Sequence, residues 1–221
     1  MRSDEASDRA ERSEEGLGTA KKEVFMEYFD IRNSDGRITG EIKERTKVHE
    51  DGDLHGTSHV WIMRQNGSGG YDLLLQKRSA GKDAYPGCYD ISSAGHLMAG
   101  QDYLPSALRE LWEELGIRAK EEDLVFLGIH EGYYEETFYG KPFRNHEISH
   151  VYLYDRPVDI EDMILQEDEV ESVKWMDIEK CYEETEKNNP RYILEKDELD
   201  MIKKYIENCS GQREPSNNPA E

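Results

Sequence analysis

Glu110, Glu113 and Glu114 fall at i, i+3 and i+4 in the segment Arg109-Glu110-Leu111-Trp112-Glu113-Glu114-Leu115-Gly116. On a helix that spacing gathers three carboxylates on one face, where like charges repel unless a cation sits among them. An oxygen-only, anionic set suits a hard divalent ion, and Mg2+ fits well when phosphate oxygens complete its octahedron. The chemistry such a site supports is charge neutralisation at a phosphoryl group together with acidification of a water. The helix itself is legible. Leu104, Ala107, Leu108, Leu111 and Leu115 share a neighbouring apolar stripe, and Gly116 stands where a helix closes in a left-handed residue.

Strands must flank this helix. Val24 to Ile31 is rich in β-branched and aromatic residues and ends in the turn Asn33-Ser34-Asp35-Gly36. His59 to Met63 and Tyr71 to Gln76 bracket the loop Asn66-Gly67-Ser68-Gly69-Gly70, and Tyr89 to Ser93 is a short strand running into Gly95. Leu124 to His130, Ile148 to Tyr154 and Val170 to Met176 read as further strands. Asp177 to Glu186 and Glu195 to Ile206 read as helices, parted by Asn188-Asn189-Pro190. Strands on both sides of one central helix, with helices at the end, indicate a mixed α/β layered domain.

From Gly95 to Ile117 the chain resembles the Nudix box: Gly, five residues, Glu, seven residues, then Arg-Glu-apolar-x-Glu-Glu-x-Gly-apolar. Gly95, Arg109, Glu110, Leu111, Glu113, Glu114, Gly116 and Ile117 match in register. Gln101 stands where the family has its first glutamate. The resemblance implies a Nudix-type α/β/α sandwich with a mixed β-sheet and a loop-helix-loop metal motif. It further implies Mg2+, or Mn2+ as a substitute, on Glu110, Glu113 and Glu114, with Arg109 clamping the glutamates. The substrate class it implies is a small-molecule diphosphate. In the family the first glutamate usually pairs with the box arginine, and Gln101 could still accept a hydrogen bond from Arg109.

Gln76 to Gly87, Ser93-Ala94-Gly95-His96, and Leu54-His55 followed by Trp61 resemble the isopentenyl-diphosphate isomerase branch of that superfamily. This implies a diphosphate held by Lys77, Arg78 and Lys82, with His96 beside it. Arg offers phosphate a planar fork and Lys a point charge. The isomerases carry a catalytic cysteine where this chain has Ala94, which cannot move a proton. They also bind a second metal through histidines and two glutamates. His55, His96 and Glu147 match those positions, Asn145 replaces one glutamate, and His49 is one residue out of register, so that site is expected to be incomplete. Glu147 is the first candidate for general base, with Glu135 and Glu136 of the Tyr-rich loop as rivals. A hydrolase of a nucleoside diphosphate derivative or prenyl diphosphate is the leading function. An isomerase and a non-catalytic binding module are the alternatives.

Composition bounds the rest. The 221 residues carry 49 acidic and 28 basic side chains, a net charge of −21, which disfavours nucleic-acid polymers and anionic membranes as partners. No apolar run approaches the roughly 20 residues of a membrane span. Three cysteines at unrelated spacings, and no apolar signal segment, point to a reducing, cytoplasmic setting. Residues 1–22 and 209–221 are read as disordered tails around one domain spanning 23–208.

Overall fold

The structure, a computed structural model, describes residues 26–211. The expected N-terminal tail, the first residues of the expected first strand and most of the expected C-terminal tail lie outside that range.

A small antiparallel pair comes first, β1 (Tyr28–Arg32) and β2 (Ile38–Glu44), joined by the anticipated turn with Gly36 at φ 75°. A seven-residue helix, α1 (Arg45–Asp51), follows and closes on left-handed Gly52. The main sheet has seven strands: β3 (His55–Gln65), β4 (Tyr71–Arg78), β5 (Tyr89–Asp90), β6 (Ser93–His96), β7 (Leu124–Phe138), β8 (Lys141–Tyr154) and β9 (Val170–Asp177). β3 and β8 run parallel while the other pairs are antiparallel, so the sheet is mixed, as expected.

Alternation along β3 separates two cores. Val60 and Ile62 face Leu111 and Leu115 of α2 (Tyr103–Leu115) on one side. Trp61 and Met63 face the other, where α3 (Ile178–Glu186) and α4 (Lys196–Gly211) pack through Cys181, Leu199 and Ile202. This period of two is what makes a helix–sheet–helix sandwich from one strand sequence. α2 closes on Gly116 at φ 72°, whose N–H reaches Trp112 O at 3.0 Å.

Three expectations change. The single strand from Tyr89 to Ser93 is two: β5 pairs with β4 and β6 with β3. The switch occurs at Ser92, whose hydroxyl donates to Leu74 O at 2.6 Å and accepts from Ile62 N at 2.7 Å. The Tyr-rich loop from Gly132 to Glu136 is strand, because β7 and β8 form one long hairpin paired out to Phe138 and Lys141. Helix α4 continues through Cys209 to Gly211, past the expected boundary of the tail.

Candidate active site

Most of the residues singled out for chemistry line one cavity of about 760 Å3 at the end of the sheet. Arg78 and Lys82 enter from the end of β4 and the loop after it, His96 from β6, Arg109 and the three glutamates from α2, and Glu147 from β8. Lys77 does not reach the cavity. It pairs with Glu171 at 2.6 Å on the outside, because adjacent strand residues point to opposite faces and Arg78 takes the inward position.

The helix that carries the three glutamates is seated by glycine. A Cβ on Gly95 would lie 1.9 Å from Glu110 Oε1, so Glu110 can cross the β6 backbone only where no side chain stands. Arg109 sits between the glutamates, pairing with Glu110 at 2.7 Å and Glu113 at 2.8 Å, and donates to His96 O at 3.2 Å. Gln101 does not meet Arg109. Its amide oxygen accepts from the Ser106 hydroxyl at 3.2 Å, since Ser106 lies on the first turn of α2 and Arg109 one turn further on. The surplus helix glutamates supply the counter-charge that Gln101 lacks.

Burial does most to set the protonation of the helix glutamates. It lifts the Glu110 carboxyl to about 7 and the Glu114 carboxyl to about 8, with Glu110 adding to the shift of Glu114. Glu114 also accepts from Ala94 N at 3.3 Å, while Glu113 stays half exposed. Two buried carboxyls with such proton affinities are what a divalent cation would displace protons from, so this donor set fits Mg2+. The cations across the cavity are already partnered. Arg78 pairs with Asp90 at 2.9 Å, and Lys82 pairs with Glu169. Glu169, which no sequence motif marks, lines the cavity and acts electrostatically on both Glu110 and Glu114.

Among the described residues, two groups bring ligand atoms within 4.8 Å of one another: His49–His55–His96 and His130–Glu195–Asp197. The first brings His49 together with His55 and His96, while Asn145 still stands where the expected site has a glutamate. α1 and its Gly52 turn carry His49 onto His55, absorbing the difference in register. Nε2 of His49 and Nε2 of His55 are both buried without a hydrogen-bond partner. Burial drives His49 down to about 4 and lowers His55 and His96 also, leaving neutral rings fit to ligate a metal. His96 therefore faces two imidazoles and stacks on Phe29 at 4.7 Å.

Glu147 is held differently. Burial would raise its carboxyl, but hydrogen bonding and charge from His59, whose Nε2 lies 3.4 Å away, pull it to about 2. His59 in turn is held well above the usual imidazole value by Glu198 and Glu147, against the opposing effect of burial. Sequence reasoning missed His59, His130, Glu169 and the α4 carboxylates, whose partners are far away in the chain.

Comparison with known proteins bears on this geometry. The chain is 40% identical over 171 residues to Nudix hydrolase 3 of Arabidopsis thaliana, covering 76% of this chain but only 21% of that much longer protein. It is 29% identical over 155 residues to the isopentenyl-diphosphate Delta-isomerase of Serratia proteamaculans, covering 69% of this chain and 78% of the relative. The crystal structure of DR0079 from Deinococcus radiodurans shares the fold, with a TM-score of 0.53 at 17% identity, over 72% of this chain and 88% of that one. The NUDIX domain matches residues 53–196, which hold the seated helix and the paired cations, and the chain belongs to the NUDIX family.

Proposed function

We propose that this chain is a Mg2+-dependent hydrolase that cleaves a diphosphate linkage in a small molecule. The observation that carries this is the pair of buried carboxyls, Glu110 and Glu114, raised by burial to about 7 and 8 and facing the cations Arg78 and Lys82 across one cavity. When bound, Mg2+ would neutralise charge on the phosphoryl oxygens and acidify a water. Arg109 fixes Glu110 and Glu113 and ties the helix to β6 through His96 O. Arg78 and Lys82 receive the diphosphate by exchanging Asp90 and Glu169 for phosphate oxygens, a fork from one and a point charge from the other. That exchange frees Glu169 beside the metal helix, where it takes the proton of the attacking water. Glu147 is a poor candidate for that step, because a carboxyl near 2 holds a proton too weakly to be an efficient base. It serves better as a fixed hydrogen-bond acceptor. His49, His55 and His96 would hold a second divalent ion of the borderline kind that imidazole favours. Ala94 offers no proton for isomerisation.

The test is phosphate or nucleotide release from a panel of diphosphates with Mg2+ and with EDTA. Turnover should need the metal, and Glu114→Gln should lower kcat about a hundredfold with an unchanged circular dichroism spectrum. Wild-type turnover by Glu114→Gln would remove the metal assignment.

A further inference from the structure

The first turn of α4 sets two carboxylates against two histidines that take no part in this chemistry. Glu198 is fully buried, and its oxygens accept from His59 Nδ1 at 2.7 Å and from Trp61 Nε1 at 2.6 Å. One residue earlier, Asp197 accepts from His130 Nδ1 at 2.6 Å. The two rings are 6.3 Å apart and come from β3 and β7, with β8 between them. His59, His130 and Glu198 line the same cavity as the glutamates of α2, but they belong to the opposite layer of the sandwich.

Each carboxylate fixes a ring by its Nδ1 and turns Nε2 toward the cavity. Nε2 of His59 reaches Glu147 at 3.4 Å and Thr57 at 3.5 Å. Nε2 of His130 points to Gly132, on the cavity wall, where a Cβ would crowd it at 3.0 Å. Glycine there keeps the nitrogen uncovered. Glu147 and Glu195 add carboxylate acceptors to the same wall. Such a surface repels phosphate and accepts hydrogen bonds. An apolar chain laid on it would leave these groups desolvated and unpaired, the costliest kind of mismatch.

We propose that this end of the cavity is the subsite for the organic half of the substrate and that it selects a hydroxylated group over a prenyl chain, with His59–Glu198 and His130–Asp197 as its determinants. The proposal rests on the chain being a diphosphate hydrolase. Substrate hydroxyls donate to Glu147 and Glu195 and accept from His59 Nε2, while the diphosphate lies toward Arg78, Lys82 and α2.

Steady-state kinetics with Mg2+ on ADP-ribose and UDP-glucose, against dimethylallyl and geranyl diphosphate, tests it. The hydroxylated pair should exceed the prenyl pair in kcat/KM by about a hundredfold or more, as expected where a site built for a hydroxyl meets an analogue lacking it. Glu198→Gln and the surface-lying Asp197→Asn should each raise KM for the hydroxylated substrates about tenfold with little change in kcat. Prenyl turnover as efficient as that of the nucleotide sugars overturns the subsite while leaving the hydrolase standing, as does an unchanged KM in Asp197→Asn. If none of the four is cleaved, hydrolysis itself is in question. Calorimetry of ADP-ribose with Ca2+ then decides the subsite: binding weakened about tenfold by Asp197→Asn supports it, and no binding, or binding unaffected by the variant, overturns it.

Discussion

Three acidic residues of similar chemistry end in three different states. Burial leaves Glu114 with a raised carboxyl, His59 pulls Glu147 down to about 2, and Glu169 sits beside Lys82 on the loop before β9. Environment therefore divides the labour that sequence alone assigned to Glu147. The division has a kinetic consequence. Glu169→Gln should lower kcat about a hundredfold, since proton transfer is worth roughly 10²–10⁴-fold. Glu147→Gln should affect mainly KM. Steady-state kinetics of both variants check this. A kcat that falls in Glu147→Gln and is unchanged in Glu169→Gln would return the base to Glu147.

At the scale of elements, α2 and the glycine under it were the most legible part of the chain, because an apolar stripe, a closing glycine and a spaced acidic face all lie within a short span. α1 was not legible: it is seven residues long and buries only Val48 and His49, too little for a periodic signal. The outer half of the β7–β8 hairpin was missed for a related reason, since its residues from Glu131 to Thr137 are mostly exposed and polar and the strand is made by pairing with Lys141 to Ile148. The histidine–carboxylate pairs could not be read at all, His59 and Glu198 being 139 residues apart. Gly95 is where a motif position becomes a physical constraint. In Gly95→Ala the new Cβ meets the Glu110 side chain at under 2.5 Å, so Glu110 must leave its place across β6, by a change of rotamer or by separation of β6 and α2. The variant should lose about 1–3 kcal/mol of stability, the usual cost of overpacking, and most of its activity. Gly67→Ala, which meets nothing within 4 Å, is the control. Equal thermal midpoints and equal turnover in the two variants would show that α2 does not need the close approach.

At the scale of the whole molecule, a net charge of −21 sets the problem that the cavity must solve. A phosphorylated substrate approaches a repulsive surface, and the cations inside are already paired with Asp90, Glu169 and the helix glutamates. On the proposed reading, bound divalent ions would add the missing attraction, and metal, charge and stability would then be linked. The link can be read from the pH dependence of folding. Glu110 and Glu114 bind protons more tightly folded, at about 7 and 8, than at the ordinary value of 4.5. A group raised in this way contributes stability that is fully present below 4.5 and is lost as pH rises through 7 to 8. Glu147, lowered to about 2, contributes in the opposite sense, and its share is lost only as pH falls below 4.5, outside this window. Protein freed of metal by EDTA should therefore melt at a higher temperature at pH 6 than at pH 8.5. Mg2+ binds the ionised carboxylates and not the protonated ones, so adding it should raise the midpoint more at pH 8.5 and narrow or invert the difference. The variant Glu114→Gln, uncharged throughout, should show a weaker pH dependence without metal and a smaller response to Mg2+. Differential scanning calorimetry on the two proteins at both pH values, with and without Mg2+, measures all of these terms. An EDTA-treated midpoint that is flat from pH 6 to 8.5 would mean that the buried carboxyls are solvated or paired in a way the geometry does not contain.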